Sequence, residues 1–396
     1  MTNKEKLLLF VLASVNFTHI MDFMIMMPMG PQLMSIFDIS PRQFGFVVSS
    51  YSLSAGISGF LAAFFVDRFD RKKVLLFAYI GFTIGTFACA FAPTYFLLCA
   101  ARVLAGVFGG MIGSQVLSIV ADVFSYERRA SAMGSVMMAF SLASVIGVPA
   151  GLYLANHFSW HAPFLVVGGL GVWVIFMIIR FVPTLDGHLR GDTESKNPIH
   201  VITDIAKNSN QMRALGLSVI IMLGHFSIIP FISPSLVGNA GFSQENIYLI
   251  YLVGGAVTIF TAPLVGKIAD KKGKYPVFVA FALLSLIPIW LITNLFVVPL
   301  YVILVISAIF FIFSNGRLIP TQAMVSSVVT PQQRGGFMAI NSSVQLLAQA
   351  IATNIGGLII HKTATGYIEN YQFVGYFAII MIAISIFVAK TVKPVQ

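Results

Sequence analysis

Asp22 lies in the middle of an apolar stretch, between Thr18-His19-Ile20-Met21 and Phe23-Met24-Ile25-Met26. A carboxylate deep in an apolar phase costs on the order of 2.5–3.5 kcal/mol even on lenient insertion scales. Taking up a proton lowers that cost, so an acid in such a place is suited to carrying one. Arg102, in another apolar stretch, supplies the matching positive charge. Protonating Asp22 would weaken the pair and free the guanidinium, which makes a switch. A permanent structural ion pair is the other reading. His19 precedes Asp22 by one helical turn and shares its face. It is placed to tune Asp22 or relay its proton, or to be hydrogen-bonded between helices.

The elements that hold these groups follow from composition. Of 396 residues, 58% are hydrophobic and 10% are charged, and the mean hydropathy is +0.90. Soluble chains carry roughly a quarter charged residues, so this chain reads as an integral membrane protein. A spanning helix needs about 20 apolar residues. Twelve stretches qualify: 6–29, 43–66, 74–92, 96–121, 131–155 and 162–182, then 212–235, 246–268, 275–294, 299–322, 336–360 and 371–390. The first carries Asp22 and no signal-peptidase-like site, so it reads as a span and not a cleaved leader. With both termini inside, Arg42 and Lys362 fall outside and Arg102 and Arg317 fall within spans. The rest of the 24 Lys and Arg lie on the inner side, as the positive-inside rule requires. Spread over many short loops, they account for the net charge of +10 as topology signals and contacts to anionic membrane lipids. A nucleic-acid site would need a clustered basic face. By helical rise, Asp22 lies roughly 24 Å from the inner surface and Arg102 roughly 9 Å in from the outer one. The two depths agree. Cys89 and Cys99 read as buried, unpaired thiols.

The chain repeats itself. Asp67-Arg68-Phe69-Asp70-Arg71-Lys72-Lys73 returns as Asp270-Lys271-Lys272-Gly273-Lys274, an offset of 203 residues. Arg129, Met133 and Gly151 align with Arg334, Met338 and Gly356 at an offset of 205. The polar stretch between the halves is a linker, with room for a short surface helix. The expected organisation is an all-α membrane protein: a six-helix bundle over 1–183, a cytoplasmic linker over 184–211 and a second six-helix bundle over 212–396, related by pseudo-two-fold symmetry. Such a duplicated membrane protein is a transporter candidate.

Further polar residues fall inside spans. His225 is near the midplane of the second half, where it would contact substrate or titrate. Asn341 and Gln345 share a face of the eleventh span with Gln349, and Gln115 lies in the fourth. They would line a cavity or bond between helices. Met26, with Met21, Met24, Met27 and Met29, gives the first span a flexible, polarizable lining, although positions spread right round a helix leave some facing lipid or neighbouring helices. The candidate substrate contacts are therefore Asp22, Met26, Gln115, His225, Asn341 and Gln345. Arg317 is expected to snorkel to the inner surface. In the fifth span Pro149 should kink the helix, and Gly147 and Gly151 should let it approach a partner closely. No H-E-x-x-H, nucleophile elbow or Walker loop is present, so neither an enzyme, a metal site nor a cofactor is expected.

The stretch Ala63-Phe64-Phe65-Val66-Asp67-Arg68-Phe69-Asp70-Arg71-Lys72 resembles the G-x-L-x-D-R-x-G-R-K signature of the major facilitator superfamily. It departs at Ala63 and Asp70, whereas the second copy keeps glycine at Gly266 and Gly273. Arg102 through Gly106 is similar to the family's intramembrane R-x-x-x-G. Gly147-Val148-Pro149-Ala150-Gly151 is similar to the signature of its drug–proton antiporter branch. Trp160-His161-Ala162-Pro163-Phe164 resembles the W-R-x-x-F of sugar and drug efflux members, with His161 in place of arginine. The resemblance implies two bundles rocking about a central cavity. It also implies a cytoplasmic latch of Asp67, Arg71 and Asp122. Proton coupling at Asp22, Arg102 and His19 is expected from the buried charges themselves. The expected protein is a monomeric, proton-coupled exporter of small organic compounds in a bacterial inner membrane, with both termini cytoplasmic. A sugar or metabolite exporter, proton-coupled uptake, and a sensor built on a transporter fold are the alternatives.

Overall fold

The structure is a computed structural model that describes residues 2–62, 64–185, 198–330 and 333–395. The side chains of Asp67, of 126, 127 and 129–131, and of 198–201 lie outside the described set. Residues 186–197 of the 184–211 linker and Ala63 also fall outside it.

The chain folds as α1 (Asn3–Ile25), α2 (Gly30–Ile36), α3 (Pro41–Ala62), α4 (Arg71–Ala90), α5 (Tyr95–Val123), α6 (Tyr126–Leu142), α7 (Val148–His157) and α8 (Ala162–Phe181). There follow α9 (Pro198–Lys207), α10 (Ser209–Phe226), α11 (Ile229–Asn239), α12 (Ile247–Lys272), α13 (Lys274–Thr293), α14 (Leu300–Ser326), α15 (Arg334–Ile359) and α16 (Tyr371–Thr391). Among the described residues, strands occur only as β1 (His361–Lys362) and β2 (Ile368–Glu369), an antiparallel pair in the α15–α16 connection. Among the described residues, eleven helical segments are long and apolar enough to cross a membrane. The expected twelfth is α15, whose 26 residues are ample in length. Its Asn341, Gln345, Gln349 and Asn354 make it less apolar than the others.

Contacts group the chain into two compact units, Met1–Met26 with Ser50–Pro198, and Met27–Ser49 with Ile199–Gln396. In the first, α4 packs along α5 and α8, and α1 packs against α6 and α8. In the second, α13 packs along α14 and α16, and α10 packs against α15 and α16. These are the same neighbours in the same order, which is the packing counterpart of the sequence repeat. Within the second unit, Phe44 lies edge-to-face against Phe231, with ring centroids 6.3 Å apart. Inside the linker, Pro198–Lys207 forms the short helix α9.

The repeated charged loop is turned in two ways. Gly273 has φ +92, a left-handed conformation open to glycine. Asp70, at the equivalent place, has φ −54 and caps α4, its Oδ1 accepting from Lys72 N at 2.7 Å and Leu185 N at 3.3 Å. The departure from glycine at Asp70 thus has a capping function.

Candidate functional site

The Thr2 and Glu5 capping box starts α1, and the helix runs unbroken to Ile25. His19 and Asp22 therefore stay one turn apart on one face. Asp22 and Arg102 are both completely buried, with 0% side-chain exposure. Arg102 Nη1 donates to Asp22 Oδ2 at 2.7 Å and to the Asp22 backbone oxygen at 3.4 Å. Thr86 Oγ1 on α4 donates to Asp22 Oδ1 at 3.1 Å. Both carboxylate oxygens accept and neither needs to donate, so the donor set fits the ionised form.

The guanidinium carbon lies 4.4 Å from the ring centroid of Tyr51 on α3, a cation–π contact. Tyr51 OH is 2.7 Å from His19 Nε2. His19 thus reaches the ion pair through Tyr51, with no hydrogen bond of its own to Asp22. Arg102 Nε and Nη2 are buried without a hydrogen-bond partner. The pair uses one prong of the guanidinium fork, where a bidentate pair would use two.

Small residues set these distances. A Cβ on Gly85 of α4 would meet Ala105 N at 2.6 Å, so α4 and α5 lie backbone against backbone beside Thr86 and Arg102. A Cβ on Gly109 would overlap the Tyr51 hydroxyl and come within 3.0 Å of His19 Nε2. The expected kink near Pro149 takes the form of a π-helical turn over Ala143–Gly147, in which Val148 N–H donates to Ala143 O. This wide turn ends just before the proline, which has no N–H to give. The turn and α7 lie against α1: a Cβ on Gly147 would stand 3.2 Å from Met21 Sδ, and one on Gly151 would stand 2.6 Å from Ile25 Cδ1.

The other predicted residues are distributed more widely. Met26 is buried and sits at the C-cap of α1, because the helix ends before Met27, Pro28 and Met29. Met21, Met27 and Met29 are buried as well and Met24 is half-buried, so most of this set packs against neighbouring segments, one of the two orientations expected. Gln115 is buried on α5 with Oε1 unpartnered. It lies about 20 Å along the helix from Arg102 by residue rise, outside the Asp22 cluster. Arg71 Nε meets Asp122 Oδ2 at 3.2 Å, joining two of the three predicted latch residues. The Asp67 side chain lies outside the described residues. Cys89 and Cys99 are free and buried.

In the second unit Asn341 Oδ1 accepts from Ser218 Oγ at 2.7 Å, Gln345 is half-buried, and Gln349 contacts Met222 Sδ at 3.7 Å. His225 Nδ1 stands 3.5 Å from Arg317 Nη2. Arg317 is 2% exposed and donates from Nη1 to Ser285 Oγ at 3.1 Å. The expectation that Arg317 snorkels to the surface is therefore corrected: it points into the protein. Thr86, Tyr51 and Ser285 are the polar contacts that sequence reasoning missed. Neutral hydroxyls are common in apolar helices and carry no flag. For Arg317, the adjacent Gly316 was the available signal, since small residues mark helix contacts and not lipid faces.

The family model described as Major Facilitator Superfamily matches residues 12–316 and 215–396. The chain belongs to the Major Facilitator Superfamily. It is 24% identical over 370 residues to Multidrug resistance protein 2 of Bacillus subtilis (strain 168), covering 90% of each chain. It is 23% identical over 332 residues to a Probable sugar efflux transporter of Helicobacter pylori (strain G27), covering 84% of this chain and 83% of that one. Its fold is similar to the crystal structure of a D-xylose–proton symporter, with TM-score 0.80, 16% identity and 98% coverage of both chains. As a superfamily member the protein is a multi-pass membrane transporter of small molecules and not an enzyme.

Proposed function

We propose that this superfamily member exports small organic molecules in exchange for protons, with Asp22 as the proton carrier. The observation that carries this reading is the fully buried Asp22–Arg102 ion pair, in which the carboxylate accepts from two helices at once. Relatives named for multidrug resistance and sugar efflux support the export direction. Both groups have 0% side-chain exposure here, so proton exchange requires a second arrangement in which the pair opens to water. In the outward-open state Asp22 takes a proton as substrate leaves; in the inward-open state it loses the proton and substrate binds. One charge moved through 100 mV is worth about 2.3 kcal/mol. That sustains a substrate gradient of about fiftyfold per proton before any pH difference.

Met26 and the other methionines of the first span supply an adaptable lining for varied substrates. The Arg71–Asp122 pair serves as a cytoplasmic latch that breaks when the inside opens. The protein sits in a bacterial inner membrane with both termini cytoplasmic and works as a monomer. Export of a sugar or other polar metabolite is the second reading, favoured by Asn341, Gln345 and Gln349 along α15.

The test is proton release from purified protein on adding substrate, across a compound panel, in the native chain and in Asp22→Asn. The native chain should release protons and the variant should not. Equal release from both removes Asp22 from the mechanism.

A further inference from the structure

Arg317 presents a different problem from Arg102. Its guanidinium is buried in the second unit, and among the described residues no carboxylate meets it. The helices packed on α14 are α10, α12 and α13. These four carry one acid among them, Asp270, which is exposed near the end of α12.

The groups that do face Arg317 use only part of its donor capacity. Arginine has five N–H groups and accepts nothing. One goes to Ser285 Oγ at 3.1 Å and another points at His225 Nδ1 at 3.5 Å, while Nε has no hydrogen-bond partner. Because guanidinium only donates, Nδ1 is the accepting nitrogen of His225 and the imidazole proton sits on Nε2. One turn before Arg317 on the same face, the Ser314 hydroxyl is also buried and unpartnered. A close helix approach builds the cluster: a Cβ on Gly316 would overlap the Phe281 ring, one turn before Ser285 on α13.

A buried cation among unsatisfied donors lacks an acceptor-only, negatively charged group. Building on the transport reading above, we infer that Arg317, Ser285, Ser314 and His225 form a recognition site for the carboxylate of an organic substrate. Carboxylate is chosen because its two in-plane oxygens match the planar guanidinium fork, which is not engaged by any other acid here. Entry of the anion compensates the buried charge and gives Nε and the Ser314 hydroxyl an acceptor.

The experiment is equilibrium binding to the purified full chain in detergent, with acetate, benzoate and octanoate as probes. Benzamide and benzyl alcohol serve as neutral isosteres and sodium chloride as the inorganic control. The readouts are titration calorimetry and the thermal midpoint. At least one carboxylate should bind saturably and raise the midpoint, where the isosteres and chloride do not. Arg317→Met should weaken binding by about tenfold or more, the scale of a lost charge-assisted hydrogen bond. Its midpoint without ligand should equal or exceed that of the native chain, since an uncompensated charge has gone. Ser285→Ala should weaken binding less. If Arg317→Met does not fold, Arg317→Lys replaces it, with weakened binding expected because the fork is lost. Failure of all three carboxylates to bind, equal binding by the isosteres or by chloride, or undiminished binding in the folded variants overturns the inference. No proton gradient is present in this assay, so an error in the role of Asp22 leaves its result unchanged. Loss of the anion site, in turn, leaves proton-driven export of uncharged compounds intact.

Discussion

The two units each bury one arginine, and they treat it oppositely. Arg102 has an acid of its own 2.7 Å away, a second helix donating to that acid, and an aromatic face beneath the guanidinium. Arg317 has a serine, a histidine nitrogen at hydrogen-bond limit and, among the described residues, no acid. A buried charge pair that is complete holds itself together, while one that lacks a member costs several kcal/mol until something supplies it. The duplication thus kept the helix packing and let the electrostatics diverge. One unit compensates its buried guanidinium with its own acid; the other, among the described residues, does not.

Asp22→Asn tests the contrast most severely, because it makes the first unit resemble the second. Removing one partner of a buried pair typically costs about 3–5 kcal/mol. The expected result is a large fall in the thermal midpoint, together with pH-driven uptake into inverted vesicles that drops to the level of vesicles without protein. A variant with native coupling would erase the functional distinction between the units.

Gly151→Ala asks how closely α1 must be held. A methyl group there meets Ile25 Cδ1 at 2.6 Å, so α1 or α7 has to give way. Overpacking of this kind costs about 1–3 kcal/mol, and the displaced helix is the one that carries Asp22. Lower stability with a slower transport cycle is expected; native values for both would mean that the contact yields freely.

The reverse conversion is Ser285→Asp, which offers Arg317 the acid that Arg102 already has. It should raise the thermal midpoint, reflecting a stability gain of about 1.5–3 kcal/mol from a charge-assisted hydrogen bond, and remove carboxylate binding. Persistence of that binding would show that the second unit does not depend on a missing acid. The mildest test is Tyr51→Phe, which keeps the aromatic face under Arg102 and deletes the hydroxyl bonded to His19. A loss of about 1 kcal/mol is expected from one hydrogen bond, with an altered pH profile of transport if His19 communicates with the pair through Tyr51. An unchanged profile would confine His19 to packing.

The spans and the Asp22–Arg102 pair were legible for one reason. A charge in an apolar run is conspicuous, and helical rise alone puts the two at similar depth. The second site was not legible by the same route. Depth counting places Arg317 toward the end of its span, where a long side chain ordinarily reaches the surface. Only the packing of Gly316 against Phe281 reveals that the side chain turns inward. Thr86 and Tyr51 escaped because their role depends on which face of α4 and α3 meets α1, and apolar helices hydrophobic all round carry no stripe to indicate it. The end of α1 at Ile25 depended on Pro28, which the sequence reading included within the span.

The wide turn at Ala143–Gly147 makes residue count a design parameter of this helix. It holds one residue more than an α-helical path would use, and each residue of an α-helix advances the direction of its side chain by about 100°. Deleting Val145 would remove that surplus, let the segment wind regularly and leave Gly151 against Ile25. Deleting Ala150, beyond the turn, would instead bring Leu152 to the place that Gly151 holds against Ile25. A loss of thermal stability exceeding that of Gly151→Ala is the expected reading. Chain length here works like the phase of a gear, in which a single tooth decides what meshes with the helix that carries the acid.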